Sequence, residues 1–204
     1  ACGGKVRFDV GMDVLDGALR EDLEGQAARA MAVVEPLKLK LTNWSEVVPC
    51  RAPVHPQRPE FGQREFGFGP ELWIECDDFA EAPPKGFFRL FPGNKVRLKY
   101  GYVVECTGCE KDAGGNVTAV LASVVPDTKS GTPGADAVKV KGTITWVGRS
   151  DAVPVTLQLF DRLFKLPQPE AGGADFRQAL NPDSKRVVSG FVEPALAAVA
   201  PGTH

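Results

Sequence analysis

The chain has 204 residues, 43% of them hydrophobic and 25% charged, with a formal net charge of −2. That balance suits a soluble globular protein with a real core. No run approaches the roughly 18 apolar residues of a membrane-spanning helix, and the start from Ala1 to Arg7 lacks the apolar stretch of a signal peptide. These features read as cytoplasmic, and the five cysteines suit a reducing compartment better than a disulfide framework. The slight negative charge argues weakly against nucleic acid, but a binding face needs only local positive potential.

In chain order, the first expected element is a helix over residues 13–24. Asp13 serves as its cap, Asp16 follows three residues later, Leu15, Leu19 and Leu23 form one apolar stripe, and Gly25 ends it. Leu37 to Thr42 alternates with period two, as a half-buried strand does. The segment from Val48 to Gly69 is rich in proline, glycine and charge and reads as a linker or long ordered loop. Glu71 to Glu75 is a short strand, and Lys95 to Cys106 alternates as one run through Val96, Leu98, Tyr102 and Val104. A further strand is expected from Val138 to Trp146, with Lys139, Lys141, Thr143 and Thr145 on one face and Val140, Ile144 and Trp146 on the other. A joint falls near Gly148 to Pro154, and a strand follows through Val155, Leu157 and Leu159. A short helix around Asp175 to Leu180 and a strand at Val187-Val188 complete the pass. With 22 glycines and 17 prolines the texture is that of an all-β protein built of barrels or sandwiches.

The stretch from Lys85 to Lys99 concentrates positive charge: Lys85, Arg89, Lys95, Arg97 and Lys99, with no acidic residue between them. Phe87, Phe88 and Phe91 are interleaved. Guanidinium forks bind phosphates or base edges, and aromatic rings stack on unpaired bases. The same pattern also describes a solvated strand face whose lysines keep an edge from aggregating. Lys139 and Lys141 are candidate phosphate contacts on the second basic segment, where a plain amphipathic strand explains most of the pattern.

Catalytic and metal signatures are weak. Cys106-Thr107-Gly108-Cys109 has zinc-like spacing, but no second pair exists and the only histidines are His55 and His204, so these read as ordinary strand cysteines and no metal site is assigned. His55 precedes Pro56 and reads as local structure, since no GxSxG elbow is present. Asp77-Asp78 beside Phe79 reads as a turn or cap rather than a glycosidase pair. No glycine-rich phosphate loop of the GxxxxGK[ST] or GxGxxG kind occurs.

An ordered set of segments resembles the bacterial glutaminyl-tRNA synthetases. It runs through Arg20-Glu21-Asp22-Leu23, Arg29-Ala30-Met31-Ala32-Val33, Glu35-Pro36-Leu37-Lys38-Leu39, His55-Pro56, Glu71-Leu72-Trp73-Ile74-Glu75 and Asp78-Phe79. It continues through Lys141 to Val147, Asp161-Arg162-Leu163-Phe164, Leu180-Asn181-Pro182 and Gly190-Phe191-Val192-Glu193-Pro194. Glutamyl-tRNA synthetases of the archaeal and eukaryotic kind share the architecture. The resemblance implies two β-barrels that read the glutamine anticodon, one inserted in the other. Residues 1–28 would be a helical connector, residues 29–50 and 149–204 the first barrel, and residues 51–148 the inserted second barrel.

By motif position the resemblance assigns Arg29 to the middle anticodon base, Arg89 to the third, and Arg97 and Lys99 to the first, with Lys85 and Gln57 as neighbouring contacts. Gly86 and Phe88 stand where that family can carry polar or basic side chains, Glu24 replaces an amide, and Lys99 stands where arginine is common. The implied partners are the tRNA for glutamine and an upstream catalytic domain; neither DNA nor a membrane is implied, and a monomer is expected. No cofactor belongs to this chain: ATP would be used by the catalytic domain, whose HIGH-like and KMSKS-like motifs do not occur here, so the chain alone is expected to be inactive as a ligase. A further family strand is expected beyond His204, leaving the first barrel incomplete. The rival class is a β-barrel scaffold or protein-interaction module.

Overall fold

A computed structural model describes residues 12–173, 175–200 and 202–203. One helix, α1 (Met12–Glu24), precedes twelve strands: β1 (Ala32–Val33), β2 (Pro36–Leu41), β3 (Val48–Pro53), β4 (Gln63–Phe68), β5 (Glu71–Glu75), β6 (Lys95–Leu98), β7 (Val103–Lys111), β8 (Val117–Val124), β9 (Gly142–Ile144), β10 (Trp146–Gly148), β11 (Val153–Phe160) and β12 (Lys185–Val192). The expectation of an all-β protein with a short helical lead is met.

Seven strands form one sheet in the order β10-β5-β2-β8-β7-β6-β9. Its two ends belong to one bent segment. β9 pairs in parallel with β6, Thr145 breaks the run, and β10 pairs antiparallel with β5. The sheet is thereby nearly closed into a barrel, which leaves little free edge for another chain to pair with. Leu39, Leu72, Ile74, Val96, Leu98, Val120, Ala122 and Trp146 fill it, each with no exposed surface. They project from alternating positions, as the period of a strand requires.

The β3–β4 hairpin forms its own two-stranded sheet and packs Cys50, Ala52, Phe66 and Phe68 into the same core. The Phe66 and Phe68 rings each meet Trp146 edge-on at 5.4 Å. Here the structure corrects the expected linker over Val48 to Gly69. Proline and glycine had suggested a loop, but the alternation of Arg64, Phe66 and Phe68 buries one face of a strand. Hairpin and barrel pack tightly where Gly148 faces Gly67: a β-carbon on Gly148 would collide with the Gly67 carbonyl.

The second sheet, β1-β12-β11, draws strands from both ends of the chain. Val34 and Glu35 carry the chain from β1 into β2, and their N–H groups donate to the two carboxylate oxygens of Glu75 at 2.7 and 2.9 Å. Trp73 and Phe191 stack across the sheets, with ring centroids 4.7 Å apart. β2, in the segment assigned by sequence to the first barrel, hydrogen-bonds between β5 and β8 in the seven-stranded sheet. A turn at Arg149–Asp151 leads from β10 into β11.

Three further expectations change. The run from Lys95 to Cys106 is two strands, β6 and β7, because the chain reverses between Leu98 and Val103 and Leu98 N–H donates to the Tyr102 carbonyl at 2.9 Å. The helix near Asp175 is a 3₁₀ turn, Phe176–Ala179, with the Asp175 carboxylate accepting from Arg177 N–H. Asp13 lies inside α1 rather than preceding it as a cap. None of its residues is buried, and Leu15 and Leu19 remain exposed. Its anchorage is at the C-terminal end, where the Glu24 carbonyl accepts from His55 and Arg29 and the Gly25 carbonyl accepts from Arg58 Nε at 3.1 Å.

Gly148→Ala is expected to destabilise the chain by about 1–3 kcal/mol, the usual cost of overpacking, measured as a lower denaturant midpoint at unchanged slope.

Candidate nucleic-acid interface

The basic segment begins with an irregular loop leading into β6. Lys85, Phe88 and Arg89 are exposed on it, while Leu90 beside them is fully buried and anchors the loop. The loop is stitched to the barrel by Ala80 N–H to the Leu90 carbonyl and by Leu90 N–H to the Asp78 carbonyl, at 3.0 and 2.9 Å. Phe87, Phe88, Phe91, Lys95, Lys139 and Lys141 line an open groove of about 480 Å³. The Phe88 ring is half exposed and Lys141 Nζ lies 5.4 Å from its centroid. A half-exposed ring beside a cation is a surface on which an unpaired base can stack while its phosphate meets the ammonium.

Lys139 and Lys141 reach this groove from a different backbone than expected. Residues 131–141 are turns and irregular chain, and β9 begins only at Gly142. The alternating lysines therefore lie on no strand. The close packing of Gly142 against the Phe88 carbonyl, where a β-carbon would clash, fixes the two segments side by side.

Arg89 is half exposed and donates from Nη1 to Asp78 Oδ1 at 2.5 Å. Asp78 is buried in the 3₁₀ turn Cys76–Asp78, which places Asp77-Asp78 in a turn, as expected. Burial pushes the Asp78 carboxyl above the usual range, and the Arg89 guanidinium pulls it back down. The pair holds Arg89 in place and leaves about half of its side chain exposed.

Arg97 is placed differently from the other cations. It shares the β6 face with Lys95, as alternation predicted, but it is only 15% exposed. Its Nη1 donates to the Thr128 carbonyl and Ser130 Oγ, and its Nη2 to the Ala135 carbonyl at 2.8 Å. Arg97 thus organises the loop from Thr128 to Asp136. Lys95 pairs with Glu105 directly across the hairpin at 3.3 Å.

Arg29 and Gln57 gather elsewhere, at the junction of α1 and the hairpin. Arg29 N–H donates to the Val54 carbonyl at 2.7 Å. Gln57 N–H donates to His55 Nδ1 at 3.1 Å, so Nδ1 is the acceptor and Nε2 carries the proton that goes to the Glu24 carbonyl at 2.8 Å. His55 is buried and committed to two backbone groups, in keeping with its structural reading.

Arg64 gave no functional signal in the sequence. It is buried on β4, donates from Nε to Glu193 Oε1 and from Nη1 to the Pro53 carbonyl, and lies 5.5 Å from the Tyr100 ring. Burial pushes the Glu193 carboxyl up, while Arg64 draws it down. A charged residue in register with Phe66 and Phe68 was the available sign, obscured by the surrounding glycines.

Cys106 and Cys109 both lie within β7, at a bulge between Cys106 and Gly108 rather than at a strand end. Burial raises both thiols. Among the described residues no group of three or more His, Cys, Asp or Glu side chains is arranged to hold a metal, and no helix is long and apolar enough to cross a membrane.

Comparison with known families then bears on the whole arrangement. Two family profiles, both described as tRNA synthetases class I (E and Q), anti-codon binding domain, match residues 27–125 and 143–204. The chain belongs to this family. Similar proteins include the glutamine–tRNA ligase of Ralstonia pickettii, 59% identical over 192 residues, covering 92% of this chain and 33% of the relative. That of Cupriavidus taiwanensis is 59% identical over 194 residues, covering 94% and 33%. That of Bordetella pertussis is 55% identical over 192 residues, covering 93% and 33%. The chain spans about a third of the length of these relatives. The anticodon-binding family fits a barrel that gathers cations and aromatic rings on an open surface.

Asp78→Asn is expected to be at least as stable as the parent at neutral pH. A carboxyl whose folded pKa is raised costs stability as pH rises through that pKa, so the parent gains relative to the variant on acidification. Thermal melts across pH should show the advantage of Asp78→Asn shrinking as pH falls.

Proposed function

We propose that this chain reads the anticodon of the tRNA for glutamine, within a glutamine–tRNA ligase whose charging chemistry lies in another part of the protein. The observation that carries this reading is the groove in which Phe88, flanked by Lys141, opens beside Lys95 and Lys139, with Arg89 held on Asp78 next to Phe88 in the same loop. Family membership supports an anticodon as the target, and the named ligases among the similar proteins favour glutamine over glutamate.

In this reading Arg89 addresses the third anticodon base with the donors that Asp78 leaves free. Lys99 addresses the first base, and Arg97 shapes the loop beneath it. Arg29 and Gln57, at the α1 junction, serve the middle base, and Lys85 lies on the same loop as Arg89. Lys139 and Lys141 meet phosphates. The exposed leucine stripe of α1 packs on the catalytic domain. The protein acts as a soluble cytoplasmic monomer.

Binding of an anticodon stem-loop is expected to weaken on Arg89→Ala by about 1–3 kcal/mol, and only when the third base is the cognate one. Fluorescence titration of cognate and third-base-changed stem-loops separates the roles: equal losses make Arg89 a phosphate contact. Lys139→Ala should weaken every RNA alike and reduce the slope of log affinity against log salt by about 0.7, the value for one single-strand phosphate. An unchanged slope removes Lys139 from the interface. If the parent chain binds neither cognate nor non-cognate tRNA at low salt, the scaffold reading replaces this one.

A further inference from the structure

Tyr100 occupies the turn between β6 and β7 with φ of +62°, a region that bulky side chains rarely adopt. The turn is tight: Gly101 N–H donates to the Leu98 carbonyl at 2.8 Å. Glycine or asparagine would take this backbone conformation with less strain. A tyrosine here calls for a role of its ring.

Two cations share that ring. The Arg64 guanidinium carbon lies 5.5 Å from its centroid and Lys99 Nζ lies 5.6 Å away. Both distances are within the range of cation–π attraction. Arg64 is buried and tied to Glu193 and the Pro53 carbonyl, so it is an immobile neighbour for the ring. Lys99 is held by both backbone polar groups: its N–H donates to the Ile144 carbonyl at 3.0 Å, and its carbonyl accepts from Trp146 Nε1 at 2.9 Å. Its exposed side chain is left to be placed by what it touches.

Lys95 and Arg89 lean on carboxylates, Glu105 and Asp78. Lys99, like Lys141 beside Phe88, leans on a ring instead. A carboxylate orients a cation but cancels its charge. An aromatic face orients it and leaves the formal charge available to an incoming acceptor. Ordering the side chain beforehand also lowers the entropy lost on binding.

We propose that Tyr100 is a positioning residue for RNA recognition: its ring, braced by buried Arg64, holds the Lys99 ammonium in place for an acceptor on an unpaired base. This rests on the anticodon-reading function proposed above.

The test uses the whole chain as the parent and as Tyr100→Phe, Tyr100→Asn, Lys99→Ala and the Tyr100→Asn/Lys99→Ala double variant. Stem-loops carrying the cognate first anticodon base or a changed one are titrated with each. Tyr100→Phe keeps the ring and should match the parent. Tyr100→Asn keeps a backbone suited to the left-handed turn and should weaken cognate binding about two- to fivefold, as loss of a cation–π contact implies. The double variant should be no weaker than Lys99→Ala alone. Losses that multiply would overturn the role, as would a Tyr100→Asn chain that binds like the parent. In the RNA-free protein, the Lys99 ε-methylene protons should be shifted upfield by the ring in the parent and Tyr100→Phe, and not in Tyr100→Asn; unshifted protons in the parent overturn the placement. A parent chain that binds no RNA overturns the proposed function and this role with it, whereas bound RNA with multiplying losses overturns this role alone.

Discussion

A guanidinium taken out of water must find a partner, and Arg64 is the place where this chain meets that demand. Its pairing with Glu193 joins the hairpin to the segment following β12, and its bond to the Pro53 carbonyl ties β4 to β3. Removing either member of such a pair leaves a buried uncompensated charge, which typically costs about 3–5 kcal/mol. A hydrophobic pair of the same volume would hold the core as firmly. What the ion pair adds is a directional requirement: Arg64 and Glu193 meet only if hairpin, barrel and chain-end sheet are correctly docked. Glu193 extends the tie, since its N–H donates to the Met31 carbonyl just after Arg29.

The surface cations are ordered by contacts of their own. A lysine or arginine on a floppy loop would lose much of its binding energy in being ordered. Here the barrel supplies the order in several ways. Arg89 rests on a buried carboxylate, Lys95 on a cross-strand glutamate, and Lys141 beside the Phe88 ring. Arg97 spends its donors on the chain itself and so shapes the loop after β8. A charge count would treat these residues as equivalent, whereas their surroundings make some contacts and others supports.

Much of the fold was legible. The alternation in Leu37–Thr42 and Glu71–Glu75 marked true strands, because each buries one face against a single core. The charge-rich run with interleaved phenylalanines did lie on an open surface. Two features of the fold mislead a local reading of the chain. Proline and glycine in Val48 to Gly69 hid a hairpin, since both residues are tolerated in strands at edges and close approaches. Alternation was also carried too far: through the turn at Tyr100, and across Lys139 and Lys141, where hydrophobic periodicity cannot distinguish a strand from a turn that leads into one.

Residue type and spacing determined the all-β class, the family, and the stretch in which its contacts cluster, because those properties depend on local pattern and on the order of segments along the chain. Tertiary structure decided which charges are free. Arg64 and Arg97 are chemically the same as Arg89, yet one is buried on a glutamate, one is spent on a loop, and one rests half exposed on a buried aspartate. That difference comes from groups distant in sequence, Glu193 for Arg64 and the Thr128–Asp136 loop for Arg97, brought near only when the barrel closes. Desolvation and hydrogen-bond geometry act through space, and no local reading of the chain reports them.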